Sequence, residues 1–491
     1  MVDDGKDLKR KAVQSTAWLA SNRLVTQVIS WCVTLVLARL LAPADYGLFA
    51  MAVAVITFLE LFQEFGVGAA IVQRQNLTQH QLSTVFWTTL AASTVIASAA
   101  ALGAPIAAKF YHEERLLPII QALSLTFLVN SLGTVPFNLL TKAIDFRRRF
   151  IAEASAVIVS SGLSLFVAWR GFGVWALVAG TLGRAVTLNL TALVLSRWLP
   201  RFEFAWKETK DLLRFGLRVA GGTAAQTLSN VANTAILGRV LGRQDLGYYS
   251  VSDALGRSNP LHRMSTSIVT QLSLPIFSRI QKQDEELRRY LIRINRYLAA
   301  IALPLQVGVA ILAVDLVTVF LSEKWLPVAP VLRLFSLGGI MSVLPLASFP
   351  LLTARGQVNF VLRYHILFAV LMVGVSYVSG KFGLMAVATS WAVAFSLLRL
   401  IPLERSLREV KLTLWDYLRS IWAPIVAAAV MAAVLLVALR LPWMPDTSGA
   451  RLVTCIALGG AVYLPILFLA DRGLAYEVRQ ILQELRARPG D

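Results

Sequence analysis

Apolar residues run along this chain in blocks of about twenty, nearly end to end, with only short polar knots between them. Each block is long enough to cross a membrane as a helix, and no knot is long enough to fold into a soluble domain. The pattern predicts about fourteen spanning helices, near 12–40, 47–66, 82–108, 116–140, 151–169, 173–196, 211–241, 246–279, 291–321, 328–353, 358–379, 382–402, 418–439 and 450–470. The longest exceed what a bilayer requires and so must tilt, kink or protrude. The fold class is an all-α polytopic membrane protein.

The knots are not independent of one another. "ARLLAPADYGLFAMA" at 38–52 is echoed by "GRVLGRQDLGYYSVS" at 238–252, with Arg39, Leu41, Asp45 and Gly47 recurring as Arg239, Leu241, Asp245 and Gly247, each 200 positions on. "FNLLT" at 137–141 returns as "FPLLT" at 349–353 (offset 212), and "GFGVWALVAG" at 171–180 as "KFGLMAVATS" at 381–390 (offset 210). Six spans make one unit and two units follow in order, which predicts pseudo-symmetric six-helix lobes at 1–205 and 206–410, then helices 13 and 14 with a tail at 411–491. Because six is even, the copies share one orientation, the arrangement in which two lobes face a central cavity.

Composition agrees: 57% of residues are hydrophobic, 15% are charged, and mean hydropathy is +0.65. The net charge of +19 raises the question of nucleic acid, but the basic residues cluster between apolar spans rather than along one solvated surface, which excludes that partner. Alternating sides from the N-terminal group Lys6, Lys9, Arg10 and Lys11, the clusters fall repeatedly on one face: Arg147–Arg149, Arg197–Lys210, Arg279–Arg289, Arg399–Lys411 and Arg472–Arg488. The positive-inside rule then predicts both termini in the cytoplasm. The first apolar segment lacks a small-residue cleavage site and reads as a retained helix. Cys32 and Cys455 sit in spans 1 and 14, where packing is the expected role. The four histidines are scattered, no metal site or cofactor is expected, and there is no GxxxxGK[ST] loop.

Chemistry therefore has to be sought inside the spans. Arg23, Gln27, Ser30 and Thr34 lie at i, i+4, i+7 and i+11, on one face of helix 1, and 200 positions later Thr223, Thr227, Asn230 and Thr234 are polar too. Such a stripe faces either a neighbouring helix, with which it hydrogen-bonds, or an aqueous cavity. The in-span cations are Arg23, Arg184, Arg218, Arg257, Arg263 and Arg333; the anions are Glu60, Glu64, Glu153 and Asp253. A guanidinium stays charged and forks onto phosphate oxygens, so a cavity lined by Arg23, Gln27, Arg184, Arg218, Asn230, Arg257 and Arg263 suits an anionic substrate. The alternative is pairing within the protein, as Asp253 with Arg257 one turn on. Glu60, Glu64, Asp253 and His262 are candidates for proton or ion coupling.

The basic N-terminus, "ARLLAPADYGLFAMA", the helix 2 ending "FLELFQEFGVGAAIVQRQNLT" and the two-lobe layout together resemble Wzx-type polysaccharide transporters of the multidrug/oligosaccharidyl-lipid/polysaccharide exporter superfamily. The resemblance implies a flippase that moves polyprenyl-diphosphate-linked oligosaccharide across a bacterial inner membrane by alternating access, for exopolysaccharide, capsule or O-antigen synthesis. It implies membrane lipids and polysaccharide polymerase machinery as partners, and no enzymatic step. A cationic central cavity comes with the family, and Arg23, Arg184, Arg218 and Arg257 are its candidates by position.

Two rivals remain at this level. A multidrug antiporter of the same superfamily would prefer an acidic cavity for cationic drugs. A polytopic glycan polymerase or ligase would carry catalytic residues on a large external loop, and the connections here are short. Since each charge crossing 100 mV changes free energy by about 2.3 kcal/mol, membrane potential can drive either the loaded or the empty half-cycle without ATP.

Overall fold

The computed structural model describes residues 29–63, 67–74, 77–143, 145–257, 269, 273–477 and 480, with the backbone alone at 67, 69, 146 and 206–226. Everything described is helix, turn or connector, without strands. Among the described residues ten helices are long and apolar enough to cross a membrane, or eleven if Leu414–Ser420 and Trp422–Ala438, bent by 61°, form one broken span. The expectation of about fourteen included a first span and an eighth that lie partly outside the described residues. Expected spans 7 and 8 open within the 50-residue run Trp206–Leu255, which is interrupted at Gly242 (φ 76°, ψ 179°). That conformation is open to glycine because it has no Cβ.

The chain forms two compact units, residues 1–248 with 372–377, and 249–371 with 378–491. In the first, Gln79–Tyr111, Leu116–Lys142, Phe146–Trp169 and Trp175–Ser196 pack as an antiparallel series of long helices. Gln79–Tyr111 begins with a capping box, in which the Thr78 hydroxyl and the Gln81 side chain each accept a backbone N–H from the other residue. Small residues bring the helices close: a Cβ on Gly180 would stand 1.9 Å from Ser164 Oγ, and one on Gly133 would stand 1.7 Å from Asn189 Oδ1.

In the second unit, Asp284–Ile311, Val328–Val343, Trp422–Ala438 and Ser448–Ala470 share the principal core, with Leu291, Leu298, Ala427, Met431 and Cys455 at its centre. Cys455 is buried, as packing requires, whereas Cys32 is exposed. An ion pair fastens the last long helix: Arg451 Nε donates to Asp315 Oδ1 at 2.8 Å, and the carboxylate is only 7% exposed. Beyond that helix, Glu477 meets Arg296 (2.9 Å), Arg293 (3.4 Å) and the Tyr297 hydroxyl.

Candidate substrate-binding site

The in-span charges separate into paired and open groups. Asp253 and Arg257 are paired, as their spacing predicts: Arg257 Nη2 stands 2.5 Å from Asp253 Oδ1, one turn apart at the end of Trp206–Leu255. Glu153 is taken up by Arg149 at 2.9 Å, and Glu60 is half-buried and engaged with neighbouring groups. Arg184 and Arg333 are exposed. Arg184 lies about 120° around its helix from the exposed apolar stripe of Val186, Leu190 and Val194, and so does not share the stripe's face. Asn230 is exposed, and its carbonyl accepts from Thr234 Oγ1 at 3.1 Å, as the Ser30 carbonyl accepts from Thr34 Oγ1 at 2.8 Å. The repeated threonines thus satisfy their hydroxyls within their own helices. Arg23, Gln27, Glu64, His262, Arg263 and the Arg218 side chain lie outside the described residues.

Arg257 does not stand alone with its carboxylate. Its guanidinium lies 3.7 Å from the centroid of the Trp391 ring and 6.0 Å from that of Phe335. It borders a narrow cleft, which is also lined by Gly338, Ser342, Phe395, Ser396 and Arg399. The helix Val328–Val343 approaches closely because Gly338 has no side chain: a Cβ there would be 3.2 Å from Ala392 Cα. On the other wall, the span Leu384–Glu409 breaks at Val393 and again at Arg399. Arg399 lies fifteen residues from the start of this helical run (399 − 384), at its second break, and is half-buried.

The donors in this cleft outnumber the acceptors. Arg399 stacks 5.8 Å from the Phe368 centroid and has no carboxylate within ion-pair distance among the described residues. Among the described residues Asp253 is the one carboxylate in ion-pair contact with either guanidinium, so the two arginines carry one positive charge more than it offsets. Trp391 Nε1 and Ser396 Oγ are buried without a hydrogen-bond partner, which is costly in so dry a place. A stacked arginine, a second arginine, an indole N–H and a hydroxyl around one opening suit a ligand with several anionic oxygens. Stacking against an aromatic face holds each guanidinium flat, with Nε and Nη2 of Arg257 turned to Asp253.

All the residues that line the cleft fall in the second of the two expected repeats. The offsets of 212 and 210 put Asn130 and Asn189 at the places of Ser342 and Arg399. In the first repeat Asn189 Nδ2 donates to Asn130 Oδ1 at 3.0 Å and to the Ala185 carbonyl at 2.8 Å, a neutral and satisfied arrangement. Trp391 and Phe395 correspond to Thr181 and Ala185. At these offsets the sequence echo does not extend to charge. Sequence reasoning missed Arg399 by grouping it with Arg405, Arg408 and Lys411 on the cytoplasmic face; the aromatic company of Trp391 and Phe395, two turns and one turn before it, was the available signal.

Comparison with known proteins gives a consistent picture. Residues 36–330 match the family described as "Polysaccharide biosynthesis protein". The chain is 24% identical over 488 residues to the succinoglycan biosynthesis transport protein ExoT of Rhizobium meliloti (strain 1021), covering 98% of this chain and 96% of that one. It is 25% identical over 421 residues to the teichuronic acid biosynthesis protein TuaB of Bacillus subtilis (strain 168), covering 84% and 86%. Among solved structures, the lipid II flippase MurJ in an inward closed conformation superposes with a TM-score of 0.74 at 13% identity, over 94% of this chain and all of that one. The chain therefore shares the fold of that structure, with many helices long and apolar enough to cross a membrane.

Proposed function

The chain belongs to the polysaccharide biosynthesis protein family, and we propose that within it this protein is a flippase for polyprenyl-diphosphate-linked oligosaccharide, the lipid-bound repeat unit of a surface polysaccharide. The observation that carries the reading is the cleft that Arg257 and Arg399 line together, in which Asp253 pairs with Arg257 and no carboxylate stands within ion-pair distance of Arg399 among the described residues. A diphosphate presents about two negative charges and several acceptor oxygens, which matches one free cation, one stacked cation and two unpartnered donors. The relatives' names support it: one is a succinoglycan biosynthesis transport protein and another a teichuronic acid biosynthesis protein.

Transport then proceeds by alternating access between two six-helix repeats, 1–205 and 206–410, with 411–491 appended. The protein acts as a carrier rather than an enzyme and sits in the bacterial inner membrane with both termini in the cytoplasm. Arg257 and Arg399 receive the diphosphate; Arg23, Gln27, Arg184, Arg218, Asn230 and Arg263 line the remaining path, and Glu60, Glu64 and His262 are the coupling candidates. The product is handed to polysaccharide polymerase machinery on the far side. Cationic drugs would be repelled from a cleft with excess guanidinium, which favours this reading over a drug antiporter.

Deletion of the gene, with lipid-linked oligosaccharide measured in the two leaflets, tests the proposal. The reading expects intact repeat units to accumulate in the cytoplasmic leaflet and surface polysaccharide to return on complementation. Full surface polysaccharide in the deletion strain, with no second carrier expressed, contradicts it.

A further inference from the structure

The turn that the sequence repeats is also where the first compact unit folds most tightly on itself. A Cβ on Gly47 would stand 1.6 Å from the carbonyl oxygen of Arg243, and one on Gly247 would stand 1.9 Å from the carbonyl oxygen of Pro43. Adding the repeat offset to 43 and 47 gives 243 and 247, so each contact is the image of the other. The two copies of the turn meet about a local two-fold axis, as identical surfaces do in a symmetric dimer. Neither glycine has a positive φ; the backbone contact alone excludes a side chain, as small residues do where membrane helices touch.

What surrounds this contact is dry. Leu48 is 2%, Met51 1% and Leu246 0% exposed. Gly238 is closed in by Tyr111 and Met51, at 2.9 and 3.1 Å from an added Cβ. At the rim Arg243 Nη1 reaches Glu113 Oε1 at 3.1 Å, a partly exposed pair. Gly242, with φ 76°, lets the second copy begin its helix directly at Arg243.

We propose that these reciprocal turns form a seal across one face of the membrane, with Gly47 and Gly247 as its closing residues, and that each transport cycle must part them; this rests on the transporter reading above. The charge pattern places the turns on the non-cytoplasmic side. Repetition of the motif is then a requirement of the device: each turn supplies the glycine against which the other's carbonyl closes. Tight backbone contact closes the seal, and the ion pair at its rim, Arg243 with Glu113, is partly exposed.

A membrane-impermeant maleimide, added from outside, reads the seal through a single thiol at Met51→Cys with Cys32→Ser and Cys455→Ala. Gly47→Ala or Gly247→Ala should raise the labelling rate about tenfold or more by shifting the closed population, while Gly103→Ala, whose Cβ meets nothing within 4 Å, leaves it unchanged. Unchanged labelling in both wedge variants, present at native levels, overturns the proposal. Should the wedges fail to fold, Glu113→Cys with Arg243→Cys, bridged by a short bis-methanethiosulfonate reagent, tests the same point. Bridging should reduce polysaccharide export to less than about a tenth by holding one state, with recovery on reduction, and full export from bridged protein overturns the proposal. Labelling needs no substrate, so a normal labelling response without any export would fault the flippase reading and leave the seal standing.

Discussion

Replacing Arg399 by glutamine separates a binding role from a structural one, because this guanidinium has no carboxylate partner among the described residues and shares its cleft with Arg257. At about 4 Å and an effective dielectric near 20, a guanidinium and a single phosphoryl charge attract by about 4 kcal/mol. Desolvation of both returns part of this, leaving about 1.5–3 kcal/mol for a charge-assisted contact, or about 10- to 150-fold in affinity. The neutral amide retains the volume and can still donate. It also removes the repulsion between the two arginines, so thermal stability should hold or rise while affinity falls. The assay is binding of a fluorescent polyprenyl diphosphate to the purified protein in nanodiscs, with the melting midpoint recorded on the same samples. Native affinity in Arg399→Gln, or a loss of affinity that tracks a loss of stability, would refute the reasoning.

Other consequences follow from single contacts. Trp391→Leu removes the face on which Arg257 lies at 3.7 Å and an indole donor, and should weaken the same binding by about 0.5–2 kcal/mol, measured in the same nanodiscs. Asp315→Asn leaves Arg451 without its buried carboxylate and should lower stability by about 2–4 kcal/mol, less than the full cost of an orphaned buried charge because Arg451 is partly exposed; the melting midpoint in detergent reports it. Glu477 is pushed up by burial, but the Tyr297 hydroxyl and Arg296 and Arg293 outweigh this and hold it below the usual carboxylate range. A depressed folded pKa contributes stability in full above the unfolded value of about 4.3 and loses it as pH falls through the lower folded value. The melting midpoint of the native protein should therefore fall more steeply with acidification below that pH than the midpoint of Glu477→Gln.

The helices were legible because hydropathy alone sets what a bilayer accepts, and eleven of the predicted spans can be matched to described helices or helix pairs. Asp253 and Arg257 were legible because i, i+4 spacing determines who can meet on a helix. Arg399 was not: the sequence groups it with Arg405, Arg408 and Lys411, and its place beside Arg257 and Trp391 depends on packing that an apolar pattern does not register. Asp315 and Arg451 were equally invisible as a pair, being 136 residues apart with no periodic relation. The repeated turn announced the duplication, but its close approach depends on backbone distances that composition does not carry.

Movement of the lipid itself tests the account most directly. Reconstituted in vesicles with fluorescent polyprenyl-diphosphate oligosaccharide and no ATP, the native protein should carry the probe between leaflets, measured by quenching from outside. An Arg257→Ala, Arg399→Ala variant of equal abundance should move it no faster than protein-free vesicles do. Equal movement by the native and doubly substituted proteins, or none by the native protein under an imposed potential of either sign, would contradict the claim that these two arginines carry a diphosphate across the membrane.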